Sequence, residues 1–135
     1  MLLKFNEDWT RSSVNGALAI RKDINKIVDE ICAEGYRNIC WLGIGGTWAS
    51  GMQAAVHMKE MSEIETWAEN ASEYNTTGNK RIGKGTVVIT SSVTGSTVEV
   101  VEAVKRMQAA GAKVIGFIDI DTTELAKLVD RSEEH

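Results

Sequence analysis

The chain has 135 residues, of which 43% are hydrophobic and 25% are charged, and its formal net charge is -4 at pH 7. This length accommodates one compact domain, and the acidic balance gives no sign of a nucleic-acid partner. The sequence holds no apolar run of the roughly 18 residues that cross a bilayer and no signal-peptide pattern, so we expect a cytoplasmic protein without a membrane partner. Cys32 and Cys40 fit neither a disulfide framework nor a metal-ligand spacing, so we interpret both as small core residues and expect no metal.

Helical and extended patterns alternate along the chain. Apolar residues at a spacing of three and four mark the helices, and short apolar runs rich in β-branched residues mark the strands. In chain order we predict helix 14–33, strand 38–44, helix 47–60, marginal strand 64–68, a weak helix from 71, strand 86–90, helix 97–110, strand 113–119 and helix 121–129. The chain stops at His135, where a fifth strand would be about to begin, and residues 131–135 have the pattern of a frayed end.

Strands that alternate with helices over short connections predict a parallel sheet with right-handed crossovers. We therefore expect an α/β protein, a three-layer αβα sandwich preceded by an N-terminal helix and truncated before the fifth strand. The expected organisation is one domain over residues 1–135, with an N-terminal helical segment over 1–35 and an incomplete α/β core over 36–135. Ligands of such folds bind at the carboxyl ends of the strands.

The turn after the first strand is rich in glycine. Gly45 and Gly46 allow close backbone approach to a ligand, and Thr47 stands where a hydroxyl would face an anion at the start of a helix. Trp48 occupies the third glycine position of a dinucleotide fingerprint, and the turn has neither the Walker A ending nor a nucleophile elbow. Glycines that serve only a tight strand-to-helix connection remain an alternative.

The turn after the third strand is rich in hydroxyl groups. It runs Thr90-Ser91-Ser92-Val93-Thr94-Gly95-Ser96-Thr97 between a β-branched run and a helical pattern. Such a turn brings backbone N–H groups, side-chain hydroxyls and the positive end of a helix dipole together, which predicts a phosphate-sized anion site. N-terminal capping of the following helix is an alternative role for Ser92 and Thr97.

Taken together, the two turns resemble those of the SIS, or sugar isomerase, domain family. Members carry a G-x-G-[ST]-S-like turn after the first strand, an A-S-E-F element after the second and an S-x-S-G-x-T turn after the third. The matching residues here are Gly43, Gly45, Gly46 and Thr47, then Ala71-Ser72-Glu73-Tyr74, then Ser92, Thr94, Gly95 and Thr97. The resemblance spans about residues 24–129 and implies an SIS-type, flavodoxin-like sheet.

The resemblance also implies recognition of a phosphorylated sugar without any cofactor. In that case Thr47, Ser92, Thr94 and Thr97 donate hydroxyl groups to the phosphate. Backbone N–H groups of Val93, Gly95 and Ser96 would complete the cradle, next to Gly45 and Gly46. Trp48 could wall the pocket, and Glu73 could contact the sugar, although a supporting role in a short helix or a subunit contact is the alternative for Glu73.

The catalytic residues are unknown from the sequence. In SIS enzymes such as fructoselysine-6-phosphate deglycase and the isomerase half of glucosamine-6-phosphate synthase, the acid-base groups come from beyond the fifth strand or from a second SIS domain. Three functions stay open: the phosphate-binding part of a phosphosugar isomerase or deglycase, a non-catalytic sugar-phosphate sensor, or a structural dimerisation module. The resemblance also implies a homodimer or a higher homo-oligomer.

Overall fold

The computed structural model describes residues 5–133, and for residues 131–133 it describes only the backbone. The helices are α1 Glu7–Ala19, α2 Arg21–Glu34, α3 Gly46–Met61, α4 Ala71–Thr77, α5 Val98–Ala109 and α6 Glu124–Leu128. The strands are β1 Asn38–Gly43, β2 Thr66–Asn70, β3 Thr86–Ser92, β4 Lys113–Ile118 and β5 Arg131–Glu133. No helix among residues 5–133 combines the length and the apolar character needed to cross a membrane.

The strands form one parallel sheet in the order β2-β1-β3-β4-β5. The helices lie on both faces, which confirms the predicted three-layer α/β architecture. The strand-to-helix alternation in the sequence is the reason, because each helix returns the chain to the same edge of a parallel sheet. Strand β3 occupies the centre of the order, with β1 and β4 on its two sides.

The main core lies between the sheet and the layer of α4, α5 and α6. Alternate strand residues such as Cys40, Val88 and Val114 point into it, and each is 0% exposed. The intervening residues, among them Trp41 and Phe117, face α2 and α3 on the other side and are only half-buried. One face of the sheet is therefore packed more tightly than the other.

The N-terminal helical segment is two helices rather than the single predicted helix 14–33. Helix α1 begins after Asn6, whose side-chain oxygen accepts a hydrogen bond from the Trp9 N–H at 2.9 Å. It ends at Ile20, the residue from which α2 then starts. Because the apolar spacing continues across Ile20 with no glycine or proline, the sequence pattern does not reveal this break. The segment also begins earlier than predicted.

The prediction that the chain ends before a fifth strand is wrong. Residues of β5 pair in parallel with β4, from Ile115↔Arg131 to Phe117↔Glu133. Asp130 sets up this pairing, because its backbone N–H donates to the Val114 carbonyl at 2.9 Å and its carboxylate accepts from the Val114 N–H at 2.7 Å. Three polar residues are too short a run to show a strand pattern. Residues 134–135 of the predicted frayed end lie outside the described residues.

The turn from β1 into α3 depends on the absence of a side chain at Gly43. A Cβ atom there would lie 2.5 Å from the Trp48 backbone nitrogen and 2.6 Å from the Thr47 carbonyl carbon. At Gly46, in the exposed part of the same turn, a Cβ would meet nothing within 4 Å. The two glycines of one motif therefore have different structural requirements.

We predict that Gly43→Ala lowers the free energy of unfolding by about 2–3 kcal/mol, because backbone atoms of α3 must move to admit the methyl group. The matched control Gly46→Ala is expected to stay within about 0.5 kcal/mol of the unmodified chain. Urea unfolding followed by far-UV circular dichroism measures both. Equal stabilities for the two variants would contradict the close packing of this turn.

The two cysteines lie in different environments. Cys40 is 0% exposed, which confirms its predicted place in the core, whereas Cys32 is exposed, so the same prediction for Cys32 is wrong. Burial, reinforced by the negative charge of Glu69, raises the pKa of the Cys40 thiol above its usual range. The thiolate is the reactive form of cysteine, so Cys40 is protected both by its lack of access and by protonation.

We predict that a thiol reagent such as DTNB at pH 8 labels Cys32 rapidly in the folded chain and Cys40 only after unfolding. In the variant Cys32→Ser the fast phase should disappear while the slow phase keeps its amplitude. A fast phase that survives in that variant would show that Cys40 is accessible.

Candidate functional site

The carboxyl edge of the sheet brings the two predicted ligand turns together. In the strand register Leu42 of β1 pairs with Thr90 of β3, and Thr90 in turn pairs with Gly116 of β4. The turn after β1 and the turn after β3 therefore leave the sheet from adjacent strands. Ligands of parallel α/β sheets bind at this edge.

In the first turn, the hydroxyl of Thr47 is engaged by its own loop. The Thr47 Oγ1 atom accepts a hydrogen bond from the Ile44 N–H at 3.1 Å and donates one to the Ile44 carbonyl at 3.0 Å. Gly45 precedes α3 with a φ of +59°, and no side chain caps this helix. The first turn of α3 contains no acidic residue, so its N–H groups face the edge without a competing negative charge.

A small cavity of about 120 Å³ joins the base of the first turn to the end of β3. Thr47 and Ser50 line it from α3, and Ser91 lines it from β3. Trp41 and Phe117 form its apolar walls. Ser50 and Ser91 are not among the site residues predicted from the sequence. Their position in hydroxyl-rich segments beside the two turns was the available signal.

The second turn is held by internal hydrogen bonds. The Ser92 hydroxyl accepts from the Gly95 N–H at 2.9 Å, and the Thr94 hydroxyl accepts from the Ser96 N–H at 3.5 Å. Gly95 is buried with a φ of +59°, and a Cβ there would lie 2.1 Å from the Thr123 hydroxyl oxygen. The turn is thus fixed from within and by the loop that precedes α6, a contact that has no signature in the local sequence.

Helix α5 starts without a side-chain cap. Thr97 occupies the N-cap position, but its hydroxyl makes no capping hydrogen bond, and the Ser92 hydroxyl bonds to Gly95 rather than to a residue of α5. The capping alternative for these two side chains is therefore not what the structure shows. The exposed Val93, Thr94 and Ser96 surround this helix start.

The two predicted sugar contacts lie near the edge but outside the small cavity. Trp48 is half-buried in the first turn of α3, and its Nε1 atom is buried without a hydrogen-bond partner in the described chain. Glu73 is exposed in the first turn of α4, where the Asn70 side chain accepts from its backbone N–H at 3.3 Å. The Ala71-Ser72-Glu73-Tyr74 element is confirmed as a helix that follows the second strand.

The two turns contain no charged side chain. The sequence has no Lys or Arg between Arg37 and Lys59, nor between Lys84 and Lys105, and these intervals contain both turns. Over residues 5–133 no group of three or more His, Cys, Asp or Glu side chains is arranged to hold a metal ion. An anion at this edge would be bound by hydroxyl groups, backbone N–H groups and helix dipoles alone.

Comparison with known proteins points to one family. The family model for the SIS domain matches residues 35–132. Glutamine–fructose-6-phosphate aminotransferase [isomerizing] of Sulfurisphaera tokodaii is 25% identical to this chain over 107 residues, which are 79% of the chain and 17% of the aminotransferase. The chain thus spans less than a fifth of the length of that relative.

Solved structures show the same fold. The C-terminal domain of glucosamine-fructose-6-phosphate aminotransferase from Francisella tularensis matches with a TM-score of 0.68 and 19% identity, over 75% of this chain and 28% of that one. The E. coli CFT073 protein c3406, in complex with the sugar phosphate arabinose 5-phosphate, matches with a TM-score of 0.70 and 18% identity, over 96% of this chain and 74% of that one. With the family model covering most of its length, this chain belongs to the SIS domain family and is similar to the SIS domains of phosphosugar isomerases.

Proposed function

We propose that this chain binds a phosphorylated sugar at the carboxyl edge of its sheet. The observation that carries the proposal is the turn 92–97, which is fixed at Gly95 while α5 begins without a side-chain cap. A phosphate dianion accepts hydrogen bonds from such free donors and is stabilised by the positive end of the helix dipole. Membership in the SIS family and the presence of a sugar phosphate in the structure of c3406 support the same ligand class.

In this proposal the second turn holds the phosphate. The Thr97 hydroxyl is the clearest donor, because it makes no capping hydrogen bond to α5. The Gly95 N–H already donates to Ser92, so these two residues shape the cradle as well as line it. The remaining proposed phosphate ligands are Gly45, Gly46, Thr47, Val93, Thr94 and Ser96.

The sugar would lie on the open side of the edge. The cavity of about 120 Å³ is smaller than the ~300 Å³ or more of typical small-molecule pockets, so a sugar ring does not fit inside it. Trp48 and Glu73 flank the open side and remain the proposed sugar contacts. The Trp48 indole N–H, which lacks a partner in the described chain, would gain one from a sugar hydroxyl.

For the activity, we infer a phosphosugar isomerase or deglycase to which this chain contributes the phosphate-binding part. Neither turn contains a carboxylate, an imidazole or an amine, so the groups that move protons would come from elsewhere. The same absence supports a second candidate, a non-catalytic sugar-phosphate sensor. Turnover of a bound sugar phosphate by the complete protein would distinguish the two.

For assembly and location, we infer a cytoplasmic homodimer or higher homo-oligomer. The support for self-association is the exposure of large apolar side chains on α1, where Trp9 is 70% and Leu18 is 61% exposed. Two free cysteines, one of them exposed, are typical of a reducing compartment.

We predict that Thr97→Val weakens binding of arabinose 5-phosphate about tenfold or more, because a hydrogen bond to a charged phosphate is lost while the shape of the side chain is kept. Isothermal titration calorimetry measures the dissociation constants. The matched control is Thr77→Val, which removes an exposed hydroxyl at the far end of α4 and should leave the affinity unchanged.

Inorganic phosphate as a competitor tests whether the phosphate group is what the site recognises. We expect it to displace arabinose 5-phosphate from the unmodified chain and to bind Thr97→Val more weakly than the Thr77→Val control. Equal affinities of the two variants, or the absence of binding by any phosphate compound, would disprove the proposed site.

A further inference from the structure

Three aliphatic side chains stand exposed around the second turn. Val93 in the turn is 69% exposed, Val98 at the start of α5 is 72% exposed, and Ile120 after β4 is 46% exposed. We call these three residues the apolar rim. Single exposed apolar residues are ordinary on a protein surface, but here three of them border a polar cradle.

Hydrogen bonds link the loops that carry the rim. The Asp119 N–H donates to the Ser92 carbonyl at 3.4 Å, and the next residues along the two segments are Ile120 and Val93. The Thr123 hydroxyl donates to the Ile120 carbonyl at 2.8 Å, and the Thr123 side chain fills the space beside Gly95. The loop bearing Ile120 is therefore fixed against the same turn that bears Val93.

The rim is too small for a stable protein interface. Three aliphatic side chains expose far less than the ~800 Å² per partner that such an interface buries. The rim is, however, continuous with the proposed phosphate site through the Asp119 to Ser92 hydrogen bond. A small ligand anchored by its phosphate would reach the rim without needing a large contact area.

We infer that the ligand of this site is a sugar phosphate that carries an uncharged apolar group near the phosphate, such as a deoxy carbon or an alkyl or acyl substituent. This inference rests on the proposed function. Val93, Val98 and Ile120 gain from covering an apolar group, whereas a hydroxyl placed against them loses its water without gaining a hydrogen bond. The rim thus selects among sugar phosphates that the cradle holds equally.

A matched pair of probes isolates this selection. Propyl phosphate and sn-glycerol 3-phosphate have the same three-carbon skeleton and the same phosphate, and differ by two hydroxyl groups. We expect the chain to bind propyl phosphate about tenfold more tightly, because each buried methylene contributes about fourfold in affinity. Inorganic phosphate reports on the cradle alone.

Substitutions in the rim should remove the preference without removing phosphate binding. We expect Val93→Thr, Val98→Thr and Ile120→Thr each to lower the ratio of the two affinities about two- to threefold, and the triple variant to bring it to about one. Inorganic phosphate should bind all of them as it binds the unmodified chain. Val56→Thr, at a valine 57% exposed on α3, is the control and should keep the full ratio.

The outcomes separate this inference from the proposed function. Binding of inorganic phosphate and arabinose 5-phosphate with no preference for propyl phosphate, or a preference that survives in the triple variant, overturns the inference and leaves the phosphate site standing. Failure of every phosphate compound to bind overturns both. A change in sedimentation coefficient in the rim variants, in place of a change in ligand preference, would show that the rim contacts another protein and would likewise overturn the inference.

Discussion

The arrangement of the site depends on the contact between Gly95 and Thr123. Gly95 has a backbone conformation that side chains rarely adopt, and the Thr123 side chain occupies the place where its Cβ would stand. The Gly95 carbonyl also accepts a hydrogen bond from the Leu125 N–H at 3.1 Å. Because the chain is held on both sides of this point, the turn after β3 and the loop before α6 form one rigid unit beside the start of α5.

The uncharged character of this unit has a physical consequence for recognition. A site built from hydroxyl and N–H groups binds an anion through short-range, directional hydrogen bonds rather than through long-range charge attraction. Such donors distinguish a tetrahedral phosphate from other anions by geometry. The acidic net charge of -4 would otherwise disfavour an anionic ligand, so close contacts must outweigh a weak general repulsion.

Much of this architecture could be predicted from the sequence, and the failures have identifiable causes. The strand 86–90 and the helix 97–110 carry a β-branched run and a strong period-3.6 pattern, and the structure places β3 and α5 there. The break at Ile20 and the strand β5 arise from backbone geometry and pairing that leave no apolar pattern. For the site, the sequence located the two turns, because their composition is local. It did not reveal the Thr123 contact or the cavity, since these depend on residues distant in the chain.

The central position of β3 in the sheet affects how the site responds to local unfolding. Edge strands such as β2 and the three-residue β5 have one neighbour each, so their opening disrupts fewer hydrogen bonds than the opening of β3, which has two. Amide hydrogens of β3 should therefore exchange with solvent only in near-global unfolding events, whereas those at the edges exchange through smaller fluctuations. The turn at the end of β3 rests on the most persistent part of the sheet and can keep its shape while the margins of the molecule fluctuate.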